Sequence, residues 1–159
     1  MRRPNNWHPQ VRTLAVGEGR YNPIGYHVGT IWPFDNSFIA WGLRRYGFKE
    51  EAAQVAAGIL EAAEFFDGRL PEAFGGYPRS MTKYPVQYPT ACSPQAWATG
   101  APFVFIQTML GLEARDGELR LDPAVPAEIG SIAIRGLHAL GHDWDIEATG
   151  GSGEIKRAG

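Results

Sequence analysis

Residues 35–66 read DNSFIAWGLRRYGFKEEAAQVAAGILEAAEFF, and this stretch decides the predicted fold. Its second part spaces apolar side chains about 3.6 residues apart, which predicts an amphipathic helix over residues 49–66. Its first part predicts another helix, which is capped by Asp35 or Asn36 and ends near Gly47. A tight turn at Gly47 would therefore join two antiparallel helices.

The rest of the chain predicts one more helix and a small sheet. Ser93 as N-cap with Pro94 at the first helical position starts the third helix, which runs to about Gly111 and is kinked by Pro102. After Leu112 the pattern changes to short alternating stretches between glycines, which are typical of antiparallel strands. The predicted strands cover residues 118–121, 131–134, 142–147 and 154–157. The predicted fold is therefore mainly α, followed by a small antiparallel β segment.

Composition narrows the class of protein. The chain has 159 residues, a hydrophobic content of 44% and a net charge of -2, with 15 basic and 17 acidic side chains. Such a balance argues against an electrostatic surface for nucleic acid or anionic membranes, and no run of about 18 apolar residues predicts a membrane span. Cys92 is the only cysteine, so no intramolecular disulfide is expected. With no apolar leader pattern, we expect a cytoplasmic protein.

The first chemical candidate is a glutamate in the loop-rich segment 67–92. It lies in RLPEAFGG, residues 69–76, where Pro71 restricts the backbone before Glu72 and a glycine pair follows. Apolar neighbours can desolvate the carboxylate of Glu72, which prepares such a group for acid or base chemistry. The alternative is an exposed loop glutamate without a function.

A second group of candidates precedes and begins the first helix, in YNPIGYHVGTIWPFDN, residues 21–36. A polar ligand at that helix start would meet free backbone N–H groups and aromatic walls. The candidate ligand-binding residues are Tyr26, His27, Trp32, Asp35 and Asn36. Asp35 can equally be a simple helix cap and His27 a core histidine. Since no second histidine lies at metal-ligand spacing, we expect neither a metal nor another cofactor.

The third group lies in YPTACSPQAWATGAPF, residues 88–103. Gln95 and Trp97, near a predicted helix start, could bind a polar ligand with a flat face, although such a Trp is more often part of the core. Cys92 could be a nucleophile, but no local signature supports that role. Ser93 needs no role beyond capping.

Together, the ordered motifs VRTLA, YNPIGYHVGTIWPFDN, WGLRRYGF, RLPEAFGG and YPTACSPQAWATGAPF resemble the C-terminal part of bacterial amylo-alpha-1,6-glucosidases, which are similar to glycogen debranching enzymes. The resemblance covers about residues 11–157. It implies an (α/α)6-toroid glycoside hydrolase that acts on alpha-glucosidic bonds with inversion and uses two carboxylates. Residues 1–112 would then be the C-terminal portion of the toroid domain, and residues 113–159 a small β segment.

The resemblance also implies roles for the candidates. The glutamate of the family's LPE motif, here Glu72, would be the general base. The substrate-binding residues would be Tyr26, His27, Trp32, Asp35, Asn36, Gln95 and Trp97. The family's catalytic acid is an aspartate upstream of the matched region, so this chain lacks that half of the pair.

Two functions therefore remain open. The chain is either a glycoside hydrolase, or a fragment of one, that acts on an oligosaccharide or glucan. Alternatively, it is a non-catalytic carbohydrate-binding or assembly fragment. In both cases its expected partners include an N-terminal toroid portion or a second copy of the chain, because three helices with broad apolar faces do not bury one another well.

Overall fold

The computed structural model describes residues 10–158. The first nine residues of the predicted domain 1–112, and Gly159 of the predicted segment 113–159, lie outside this range. The helices in the described part are α1 (Pro33–Arg45), α2 (Lys49–Ala63) and α3 (Ala101–Leu110). The strands are β1 (Phe74–Gly75), β2 (Val86–Gln87), β3 (Glu113–Arg115), β4 (Glu118–Arg120), β5 (Ser131–Ala139), β6 (His142–Thr149) and β7 (Ser152–Arg157).

The chain belongs to the α+β class. Among residues 10–158, helices account for 30% and strands for 23%, and the strands form three small antiparallel sheets with the orders β1-β2, β3-β4 and β5-β6-β7. The prediction of a mainly α chain that forms part of an (α/α)6 toroid is therefore wrong. Apolar periodicity detects helices well, but it misses short strands such as β1 and the exposed β3, which carry no alternation long enough to recognise.

The predicted helix pair is present. A turn through Gly47, whose φ is 91°, joins α1 to α2, and α1 packs against both α2 and α3. The predicted caps of α1 are wrong, because the helix begins at Pro33 and no side chain caps it. Proline has no N–H to satisfy and a φ suited to the first helical position, so it starts the helix before Asp35.

The third helix is shorter than predicted. It begins at Ala101, after a 3₁₀ turn at Trp97–Gly100, so the predicted start at Ser93 is wrong. Pro102 lies in the first turn of α3, where a proline is tolerated without a kink. Gly111 ends the helix with a φ of 58°, a left-handed conformation that suits glycine.

The helices and the central loop share one core. It contains buried side chains from α2, α3 and the segments around Ile31 and Phe74. Ile31 and Phe74 exchange both backbone hydrogen bonds, with N–O distances of 2.9 and 3.0 Å. This bridge holds the stretch before α1 beside the stretch that carries Glu72, which brings two of the predicted site segments together.

The C-terminal sheet has a core of its own. Ile146 and Ala148 of β6 pack with Leu110 and Val125, and the four predicted strands are confirmed as β4 to β7. Asp122 ties this part to the helix pair, since its side chain accepts hydrogen bonds from Lys49 and Arg44, both at 2.9 Å. The bond from Lys49, with the charge of Arg44, lowers the pKa of Asp122.

Candidate functional site

A cleft of about 470 Å³ lies at the start of α1. Its walls come from three segments that are distant in sequence: the stretch before α1, the stretch before β1, and the stretch before α3. The lining residues are Thr13, Tyr26, His27, Trp32, Phe34, Asp35, Glu72, Gln95 and Trp97. The cleft thus brings together every predicted site residue except Asn36.

Backbone hydrogen bonds hold the three segments in place. The Ile31–Phe74 bridge aligns the first segment with the second. The N–H of Glu72 donates to the carbonyl of Cys92 at 2.9 Å, which aligns the second segment with the third. Because these bonds are made by the backbone, they hold the segments together without using the side chains that face the cleft.

Glu72 is the most firmly positioned carboxylate in the cleft. The hydroxyl of Tyr26 donates to Oε1 at 2.5 Å, and the N–H of Cys92 donates to Oε2 at 3.2 Å. Its neighbours Leu70 and Ala73 are buried, whereas Glu72 itself is half-buried. Glu72 is therefore not an exposed loop side chain, because both oxygens have a donor and the carboxylate faces a cavity, whereas its function stays a prediction.

The glycine pair after Glu72 allows the backbone of this segment to lie close to the backbone of the loop before α1. A Cβ atom on Gly76 would lie 1.8 Å from the carbonyl oxygen of Gly29. Gly76 also donates its N–H to the carbonyl of Pro23 at 2.8 Å. Only glycine fits here, and this contact fixes the loop before α1 against the segment that carries Glu72.

The pKa of Tyr26, whose hydroxyl donates to Glu72, is raised. The hydrogen bond to Glu72, followed by desolvation, raises the pKa of Tyr26 to about 12. Ionising Tyr26 would place two negative charges side by side and remove the donor of this bond. Since the folded pKa lies above the usual value of 10.0, this interaction stabilises the fold below pH 10 and is lost as the pH rises towards 12.

We predict that Glu72→Gln lowers the pKa of Tyr26, because the Tyr26 hydroxyl then donates to a neutral amide instead of a carboxylate and the neighbouring negative charge is removed. Selectively ¹³C-labelled tyrosine observed by NMR at pH 11 measures this shift. The Tyr26 ring should be about one-tenth ionised in the wild type and clearly more ionised in the variant. Glu64→Gln, an exposed glutamate outside the cleft, is the control and should leave Tyr26 unchanged. A Tyr26 that titrates alike in the wild type and in Glu72→Gln would contradict the assigned hydrogen bond.

Aromatic rings form one wall of the cleft. His27 stacks on Trp32 with ring centroids 5.3 Å apart and planes 14° apart, and Tyr26 contacts both rings. The indole N–H of Trp32 donates to Oγ1 of Thr30 at 3.0 Å, which fixes the orientation of that ring. His27 is exposed, so the alternative of a core histidine is wrong.

The opposite side of the cleft carries Trp97 and Phe34. Trp97 is 68% exposed, so it is not part of the core, and its ring lies 5.3 Å from that of Phe34. Phe34 and Thr13 also line the cleft, although neither was predicted as a site residue. Phe34 lies in the WPFDN motif and Thr13 in the VRTLA motif, so both motifs were usable signals.

Asn36 does not line the cleft. It is 1% exposed, and its side chain bonds to the backbone of Val11, accepting at 2.8 Å and donating at 3.0 Å. It also donates to the carbonyl of Trp32 at 2.9 Å. Asn36 therefore anchors the segment before α1 and supports the cleft from behind.

Two carboxylates face the cleft, Glu72 and Asp35, and the latter is exposed in the first turn of α1. Among residues 10–158, no group of three or more His, Cys, Asp or Glu side chains is arranged to hold a metal ion. The cleft thus offers one anchored carboxylate, one exposed carboxylate and several rings. Such a set suits proton transfer next to a ligand with both polar and apolar faces.

No protein-family model and no curated protein matches the chain. Over the described residues, no helix has the length and apolar character needed to cross a membrane. Any function assigned to the chain therefore depends on the geometry of the cleft.

Proposed function

We propose that the chain is an inverting glycoside hydrolase for alpha-glucosidic bonds, similar to amylo-alpha-1,6-glucosidases, or a fragment of such an enzyme, with Glu72 as the general base. The observation that carries this proposal is the anchored carboxylate of Glu72 in a cleft walled by aromatic rings. The LPE motif resembles that of the amylo-alpha-1,6-glucosidase family and agrees with this role, but this support comes from the sequence alone.

In this proposal Glu72 accepts a proton from the attacking water. Tyr26 and the Cys92 N–H each occupy one carboxylate oxygen and so hold the group in a single orientation. Each oxygen keeps a further acceptor site that can receive a water O–H. The water would then attack the anomeric carbon on the face opposite the leaving oxygen, which inverts the configuration.

The walls of the cleft suit a glucosyl unit. Sugars present apolar C–H faces and a rim of hydroxyl groups. Trp32 and Trp97 supply flat apolar surfaces, while Asp35 and Gln95 supply hydrogen-bonding groups. The cleft volume of about 470 Å³ lies within the range of ordinary small-ligand sites.

The proposed reaction also needs a catalytic acid, which protonates the leaving oxygen. Inverting enzymes place their two carboxyl groups about 6.5–9.5 Å apart, with room for a water between the base and the sugar. The resemblance assigns the acid to an aspartate that precedes the matched region. We assign Asp35 to the binding of sugar hydroxyls, so the acid would come from a separate polypeptide segment.

A second candidate function is carbohydrate binding or assembly without catalysis. Its specific support is an aromatic ridge, defined as the side chains of Phe34, Phe38, Trp41 and Trp97. Neighbouring rings along it lie 5.0–6.4 Å apart, and Phe38, Trp41 and Trp97 are exposed. In this second proposal the cleft and the ridge bind a glucan, or the chain associates with another copy or with a separate polypeptide that carries the acid.

Calorimetric titration with maltooligosaccharides tests the proposed sugar site. Trp97→Ala should weaken binding about tenfold, the loss of roughly 1.4 kcal/mol, because its exposed ring would stack on the sugar. Tyr46→Ala removes a more exposed ring that lies outside the cleft and should leave binding unchanged.

The released glucose, measured in the same samples, separates the two functions. Binding with glucose release supports hydrolysis, whereas binding without release supports the second candidate. Equal losses in Trp97→Ala and Tyr46→Ala, or no binding by the wild type, would contradict a sugar site in the cleft.

A further inference from the structure

A second cavity of about 210 Å³ lies under the β1–β2 hairpin and shares no lining residue with the cleft. We call it the hairpin cavity. Among the residues that line it, six have polar groups: Gln10, Arg12, Tyr77, Arg79, Thr82 and Tyr84. Neither Glu72 nor any other group in the proposed mechanism contacts it, so the proposed function does not account for it.

The hairpin cavity has a rigid back wall. β1 and β2 pair through Phe74–Gln87 and Gly75–Val86, and the cavity lies against Phe74 and Gly75. The carbonyl of Gly76 accepts from Nε of Arg12 at 2.6 Å and from the hydroxyl of Tyr21 at 2.7 Å. The guanidinium of Arg12 is therefore held in place before any ligand arrives.

The cavity carries excess positive charge. Arg79 forms an ion pair with Glu61 at 2.9 Å, so those two charges offset each other. Among residues 10–158, no carboxylate forms an ion pair with Arg12, although its Nε is bonded to a carbonyl. The described residues that line the cavity include two guanidinium groups and no carboxylate, and they lie beside hydroxyl groups, a set of donors that suits an oxyanion.

We propose that the hairpin cavity binds the phosphate group of a small phosphorylated metabolite. Arginine side chains bind phosphate through paired N–H groups, and the hydroxyls of Tyr77 and Thr82 can donate to further oxygens. The cavity is smaller than the roughly 300–1,000 Å³ of drug-sized ligand sites, which restricts it to a small ligand. Its tyrosine rings and prolines would contact the carbon skeleton attached to the phosphate.

Calorimetric titration of the whole chain at constant ionic strength tests this site. The ligands are inorganic phosphate, glucose 6-phosphate and glucose, and these separate a free phosphate from a phosphate monoester and from a neutral sugar. Glucose 6-phosphate should bind and inorganic phosphate should bind more weakly, and any heat with glucose should be the same in the wild type and in Arg12→Gln. Arg12→Gln should weaken phosphate binding at least about tenfold, as expected for the loss of one charge-assisted contact.

Lys83→Gln is the matched control. Lys83 is an exposed cation in the same hairpin loop but does not line the cavity, so its loss should change binding less than about twofold. Equal weakening by Arg12→Gln and Lys83→Gln would indicate general attraction of anions and would overturn the proposal. Absence of phosphate binding by the wild type would also overturn it.

A measurement on the wild type covers the case in which Arg12→Gln does not fold. Amide NMR shifts during a titration with glucose 6-phosphate should concentrate at Gly75, Tyr77 and Thr82. Shifts confined to Glu72 and Trp97 would mean that the ligand enters the cleft, which would contradict the proposal. Neither readout depends on hydrolysis, so failure of this site and failure of the proposed function are distinguishable.

Discussion

Glu72→Gln is expected to reduce glycoside hydrolysis by about 10²–10⁴-fold, the usual contribution of a general base, while sugar binding is retained. The amide fills the same space and can still accept the hydrogen bond from Tyr26, but it cannot take a proton from water. The loss should therefore appear in kcat and leave KM nearly unchanged, as for an interaction that acts in the transition state.

The substrate for this experiment should not need a catalytic acid. Alpha-glucosyl fluoride is suitable because fluoride leaves without protonation, so the reaction depends on the base even if the acid belongs to another polypeptide. Fluoride release by the wild type, by Glu72→Gln and by the control Glu64→Gln gives the comparison. Turnover by Glu72→Gln within a few-fold of the wild type would remove Glu72 from the role of base.

Gly76→Ala is expected to cause the largest loss of folding stability among glycine substitutions around the site, about 3 kcal/mol or more. The added Cβ would lie 1.8 Å from the carbonyl oxygen of Gly29, a backbone atom that cannot move away as a flexible side chain could. Relief of this clash would separate the loop before α1 from the segment of Glu72. The free energy of unfolding from denaturant titration measures the loss.

Gly42→Ala is the matched control for this substitution. Gly42 lies within α1, and a Cβ at that position meets no atom within 4 Å. Alanine there should stabilise the fold by about 0.5–1 kcal/mol, because glycine in a helix interior loses more backbone entropy on folding. A Gly76→Ala protein as stable as the wild type would contradict the close approach of Gly76 and Gly29.

Much of the site could be predicted because its residues lie in local motifs. The proline before Glu72 and the glycines after it indicated a constrained position, and Gly76 does require a close backbone approach. The helix pair was also predictable, since α2 has a strong 3.6-residue apolar period. These features can be recognised in the sequence because each depends only on residues that lie close together along the chain.

The remaining features depend on contacts between distant segments. The bridge between Ile31 and Phe74 and the bonds from Asn36 to Val11 join parts of the chain that no local pattern connects. Asn36 was therefore predicted to face a ligand, although it is buried behind the cleft. The short strands β1 and β3 were missed for the same reason, because their pairing partners define them more than their own sequences do.

The configuration of the first product tests the central proposal most directly. Proton NMR of the wild-type chain with alpha-glucosyl fluoride distinguishes the two anomers of glucose before they interconvert. If Glu72 delivers water to the face opposite the fluoride, beta-glucose should appear first, and Glu72→Gln should abolish its accumulation. Alpha-glucose as the first product, or an unchanged rate of beta-glucose formation in Glu72→Gln, would contradict Glu72 as the base of an inverting hydrolysis.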